Sequence, residues 1–179
     1  MSIELDVVRD VSERLTRAEI PFMLTGSMAM NAYAEPRMTR DVDVVIEVQP
    51  GDTPRLLAAF SPDYYIDAAA VSRALASEGI FNVIHQGWIF KVDCIVRKSA
   101  PFRVAEFARR QRLNVAGCET WVVSKEDLIL SKLCWGSASR SECQARDISN
   151  LLATGYDRAY VEKWAAELAV LDYLHSIQP

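Results

Sequence analysis

The chain has 179 residues, half of them hydrophobic and a quarter charged, with a formal net charge of −4. This is the composition of a soluble globular protein able to bury a full core, as one domain or as a core with a helical appendage. The negative balance argues against a general nucleic-acid coat protein, and four scattered cysteines with only two histidines argue against a zinc site.

Cys94, Cys118, Cys134 and Cys143 form no Cys-x-x-Cys pair and sit beside apolar residues, as reduced thiols do. The N-terminus is acidic and broken by charges, unlike a signal peptide, and no apolar run approaches the ~20 residues of a membrane span. The expected location is the cytoplasm, with no membrane partner.

Ile3, Val7, Val8, Val11 and Leu15 recur at helical spacing and predict a first amphipathic helix, which Pro21 ends. "PFMLTG" reads as a short buried strand ending at Gly26, "SMAMNAYA" as a helix, "EPRMT" as a loop and "RDVDVVIEV" as a strand. Helices are expected over "PRLLAAF" and residues 68–77. "GIFNVIH" and "GWIFKVDCIV" read as a hairpin joined at Gln86-Gly87. The stretch 101–123 carries a basic cluster and a last strand, "ETWVV". Ser124 with Asp127, and Ser141 with Gln144, fit the capping-box spacing for two further helices. Val161, Trp164, Leu168 and Leu171 predict one stripe on a single final helix. The fold class is α+β: a small mixed sheet flanked by helices, residues 1–123, with a C-terminal helical cap packed on it, residues 124–179.

Strand alternation places Asp41 and Asp43 on one face, about 6.6–6.8 Å apart, with Val42, Val44, Ile46 and Val48 facing a core. Like charges so placed call for a positive partner, either Arg40 or a divalent cation. An isolated Asp-x-Asp reads equally as solvated strand-edge acids held by Arg37 and Arg40. Asp93 adds a third acid inside the apolar strand "KVDCIV", where it needs an ion pair, with Lys91 or an arginine, or a metal. Three aspartates on two strands are enough to hold two metal ions, and oxygen-only ligands suit Mg²⁺ or Mn²⁺. A glycine closing a strand before a helix lets backbone N–H groups approach a phosphate. Gly26-Ser27 also reads as a plain strand–helix turn with a serine cap.

Gly26-Ser27, thirteen intervening residues, Asp41-Val42-Asp43 and a later Asp93 together resemble the DNA polymerase β-type nucleotidyltransferase superfamily. Arg37-Met38-Thr39-Arg40 resembles the Arg-x-Thr-x segment before the Asp-x-Asp of small bacterial members. "SKEDLILSKL" and "SECQARDISNLL" look like the helical region of antibiotic and toxin–antitoxin nucleotidyltransferases, so the resemblance spans about residues 20–153. It implies a transfer of a nucleoside monophosphate from an NTP to an acceptor hydroxyl, with release of pyrophosphate. Gly26 and Ser27 would hold the β- and γ-phosphates. Asp41, Asp43 and Asp93 would ligate two Mg²⁺ or Mn²⁺ ions, and Asp93 would help deprotonate the acceptor. Lys132 could reach the triphosphate or be a snorkelling surface lysine. Arg37 and Arg40 could touch phosphates or pair with the aspartates. Asp147 could pair with Lys132 or Arg146, the favoured reading, or orient the base or acceptor.

The acceptor stays open between an antibiotic-like hydroxyl, a tRNA and a protein. A partner protein or a homodimer is compatible with the pattern, and a catalytically silent antitoxin-like binder is the alternative function. "ARRQR", Ala108–Arg112, is either an RNA-binding run or a solvated charged face. Trp121, Trp135 and Trp164 are expected in core or inter-helix packing.

Overall fold

The computed structural model describes residues 2–34, 41–115 and 117–177. Among them a seven-stranded mixed sheet runs in the order β3-β4-β5-β2-β1-β7-β6. The strands are β1 (Phe22–Thr25), β2 (Asp41–Ile46), β3 (Tyr64–Ile66), β4 (Ile80–His85), β5 (Phe90–Val96), β6 (Gln111–Val115) and β7 (Cys118–Val122). β2 lies at the centre, antiparallel to β1 and parallel to β5.

Two apolar cores form, one on each face. The first joins the buried Val42, Val44 and Ile46 of β2 to α1 (Ile3–Arg17), α3 (Thr53–Phe60) and α4 (Ala68–Ser77). α1 contributes Val7, Val8, Val11 and Leu15, the residues its 3.6-residue spacing selects. The second core gathers Met23, Met30 and Val45 with residues of α5 (Pro101–Ala108), α6 (Lys125–Ser139), α7 (Glu142–Ala153), α8 (Arg158–Glu167) and α9 (Leu171–Ile177). Val45 shares a strand face with Asp41 and Asp43, so one face of β2 is charged at its start and apolar at its end. The carboxylates therefore stand at the rim of the second core.

α6 is the centre of that core and packs against α2 (Gly26–Met30), α7, α8 and α9. The caps expected from spacing form: the Ser124 side chain accepts from the Asp127 N–H, and Ser141 accepts from the Gln144 N–H. Each satisfies a helix N–H that would otherwise be orphaned.

Several elements differ from the sequence reading. α2 is five residues long, and turns follow it. β3, α5 and β6 are additional; β6 is an edge strand of mostly polar residues whose pairing with β7, not its pattern, makes it a strand. The single final helix is two. Ala169 has φ +56°, the Val170 N–H reaches the Ala165 carbonyl at 2.9 Å, and the Ala169 N–H reaches Ala166 at 3.2 Å. This is a Schellman end built without the glycine that usually signals one. Trp135 is exposed, whereas Trp121 and Trp164 pack against the cores as expected.

The basic run is a largely exposed charged face, one of the two readings the sequence left open, and its arginines also make contacts within the fold. Arg109 bonds Asp127 at 3.1 Å and lies 4.0 Å over the Tyr160 ring. Arg110 stacks on Phe107 and Trp121, and Arg112 covers Trp121 and pairs with Glu119. Among the described residues no helix is long and apolar enough to cross a membrane.

Candidate active site

The parallel register of β2 and β5 sets Asp41 opposite Lys91 and Asp43 opposite Asp93. Alternation turns all four side chains to one face. The next strand places Asn82 opposite Asp93, and β1 places Thr25 opposite Asp43. Lys91 Nζ lies 2.9 Å from Asp93 Oδ2 and 3.8 Å from Asp41 Oδ2. Asn82 Nδ2 donates to Asp93 Oδ1 at 2.6 Å. Lys91 is thus the ion-pair partner that an acid inside "KVDCIV" requires, and it also reaches Asp41. Asn82 is a site residue that sequence reasoning missed. The outward alternation of Ile80, Asn82 and Ile84 was its only signal, because the register that sets it against Asp93 belongs to the folded hairpin.

Burial pushes the Asp43 carboxyl up to about 6, helped by the charges of Asp41 and Asp93, while Lys91 and Lys132 pull the other way. Gly26 explains how Asp43 fits. It has φ +63°, and a Cβ there would lie 2.0 Å from Asp43 Oδ2. Both the left-handed backbone and the close carboxylate demand glycine. α2 begins at this residue, its cap residue is Thr25 rather than Ser27, and Ser27 lies in the first turn. Gly26→Ala should cost about 1–2 kcal/mol in backbone strain and push the Asp43 carboxylate away. Mn²⁺ affinity measured by titration calorimetry is expected to fall at least about tenfold.

Lys132 is not a snorkelling surface residue. It is buried, as is Asp147, and its Nζ lies 2.9 Å from Asp147 Oδ2 and 3.4 Å from Gln144 Oε1. Asp147 is therefore the structural partner expected of it. α7 supplies this carboxylate across the helix pair, while the Lys132 charge is still felt at Asp43. Arg37 and Arg40 lie outside the described residues.

No protein-family model and no curated protein matches the chain. Solved structures do. ANT(2'')-Ia in complex with adenylyl-2''-tobramycin superposes with a TM-score of 0.65 at 14% identity, covering 94% of this chain and 98% of that one. An antigenic nucleotidyltransferase-like protein from Paracoccidioides brasiliensis matches with a TM-score of 0.61 at 20% identity, over 98% and 92%. The fold is the DNA polymerase β-type nucleotidyltransferase fold. The lincosamide antibiotic adenylyltransferase LnuA, lincomycin-bound, shares it with a TM-score of 0.57 at 15% identity, over 87% and 98%. Within this nucleotidyltransferase fold, Asp41, Asp43 and Asp93 occupy adjacent central strands beside the β1–α2 turn.

Proposed function

We propose that the chain is a metal-dependent nucleotidyltransferase that moves a nucleoside monophosphate from an NTP to an acceptor hydroxyl, releasing pyrophosphate. The observation that carries this reading is the meeting of Asp41, Asp43 and Asp93 on one sheet face, with Gly26 pressed against Asp43. A small, antibiotic-like hydroxyl compound is the favoured acceptor. ANT(2'')-Ia was solved with adenylyl-2''-tobramycin and LnuA with lincomycin.

The donor set fits a hard divalent cation: carboxylate oxygens only, with Asp43's proton affinity held up by burial first and then by the neighbouring acids. Mg²⁺ or Mn²⁺ held by Asp41 and Asp43 would offset the triphosphate charge and polarise the phosphoryl group under attack. The chain's own groups do the rest. The β1–α2 turn presents backbone N–H groups, and Ser27 a hydroxyl, to the β- and γ-phosphates. Lys132, fixed by Asp147, adds positive charge. Asp93, held at one oxygen by Asn82 and at the other by Lys91, keeps one orientation in which to accept the acceptor's proton. The bond that forms joins the acceptor oxygen to the α-phosphorus, and the bond that breaks frees pyrophosphate. Positioning and charge stabilisation carry most of the acceleration.

The test is incubation of each of the four NTPs and Mg²⁺ with panels of aminoglycosides, lincosamides and tRNA, followed by mass spectrometry. A nucleotidylated small molecule is expected, and Asp93→Asn should reduce its rate at least about a hundredfold. Full activity in that variant would remove Asp93 from the mechanism. Tight binding of a partner protein with no transfer to any acceptor would establish the antitoxin-like alternative.

A further inference from the structure

Four side chains on β2 and β5 form the corners of a rectangle: Asp41 opposite Lys91, and Asp43 opposite Asp93. Three corners are acidic and the fourth is a lysine. The pleat commits Lys91 to the same face as Asp93, two residues along, and the register commits it to Asp41. Its ammonium spans the diagonal between those two acids, at 2.9 and 3.8 Å. Asn82 takes the other oxygen of Asp93, so each oxygen of that carboxylate already receives a donor from the chain.

These contacts oppose a metal shell shared by all three acids. Mg²⁺ draws its oxygen ligands to about 2.0–2.1 Å, whereas an ammonium keeps carboxylates at hydrogen-bond distance. Among the described residues no group of three acids, histidines or cysteines closes into a shape that could hold a metal ion. The donor chemistry suits a divalent cation, but the arrangement around Asp93 is organised on a lysine.

We propose that the Lys91 ammonium supplies to Asp41 and Asp93 the charge that a second divalent ion would otherwise supply, so that the nucleotide-loaded protein takes up one divalent ion rather than two. This rests on the nucleotidyltransferase reading and sharpens it. Asp43 and Asp41 hold the single ion with the triphosphate. Lys91 acts as a positioning residue for Asp93 and keeps it from ligating a metal.

The test counts Mn²⁺ ions by electron paramagnetic resonance of the free ion, with the α,β-imido analogues of the four NTPs tried in turn. The wild-type protein should bind one Mn²⁺ per chain in the nucleotide complex. Lys91→Met keeps the aliphatic stem and removes the charge, and it should bind two. Lys91→Arg should return the count to one. Circular dichroism checks that each variant is folded, which the half-exposed position of Lys91 favours. Two ions in the wild type, or one ion in Lys91→Met, overturns the inference and leaves the transferase reading standing. No nucleotide-dependent Mn²⁺ uptake in any variant overturns both.

Discussion

Asp43→Asn should abolish nucleotidyl transfer and at the same time stabilise the metal-free protein. The first effect follows from the loss of a charged ligand beside the β1–α2 turn. A fall of a hundredfold to a thousandfold is the scale for removing one preorganised electrostatic contact. The second effect follows from the raised carboxyl. Folding lifts Asp43 from its ordinary value to about 6, through burial first and then through Asp41 and Asp93. The folded state thus holds this proton more tightly than the unfolded chain. The associated stability is fully present below about pH 4 and is lost as pH rises through about 6. The shift corresponds to at most about 3 kcal/mol at neutral pH. Asparagine does not pay this cost. Thermal melts without metal should agree between wild type and Asp43→Asn near pH 4. They should separate by about 5 °C or more near pH 8, with the variant higher. Mg²⁺ with nucleotide should raise the wild type and leave the variant unmoved. In the wild type, Mg²⁺ affinity should weaken as pH drops below about 6, because the cation must then displace a proton from Asp43. A variant no more stable than wild type at pH 8 would mean that Lys91 and Lys132 already neutralise the cluster.

Asp147→Ala should be the most destabilising single change near the site. Lys132 is buried between α6 and α7, with Asp147 at 2.9 Å as its closest carboxylate. Removing that carboxylate strands a buried ammonium against one long contact to Gln144, which costs about 3–5 kcal/mol. Urea unfolding measures the loss. The double variant Lys132→Met, Asp147→Ala should recover most of it, because an apolar pair of similar volume carries no desolvation penalty. It should not recover transfer, since the charge offered to the triphosphate has gone. Recovery of neither would place the cost of Asp147→Ala in packing rather than in the ion pair.

Much of the site was legible residue by residue. The Asp-x-Asp face, the apolar back of β2 and the need of Asp93 for a cation all follow from period-two alternation inside an apolar run, which is local. Lys91 could be named as a partner of Asp93 for the same reason, since residues two apart on a strand share a face. Its reach to Asp41 could not, because that depends on β2 and β5 being neighbours in register. Between a triphosphate contact and a snorkelling surface lysine the sequence did not choose for Lys132; the fold rules out the second, because the first half of α6 is buried all round. A helix enclosed by α2, α7, α8 and α9 has no polar stripe against which a lysine would stand out. The break at Ala169 was hidden for a different reason: an alanine held left-handed by its surroundings carries no turn signature.

Residue pattern alone establishes that this is an α+β chain with three acids presented on strands and a glycine before a helix. Those features rest on spacing along a few neighbouring residues, where backbone geometry leaves little choice. The folded chain decides the rest: that Gly26 touches Asp43, that Asn82 and Lys91 clasp Asp93, and that Lys132 is buried on Asp147. Apart from the Lys91–Asp93 pair, which lies within one strand, each of these joins separate elements. Their energies come from burial and charge proximity, which exist only once the strands are in register and the helices have closed over the sheet.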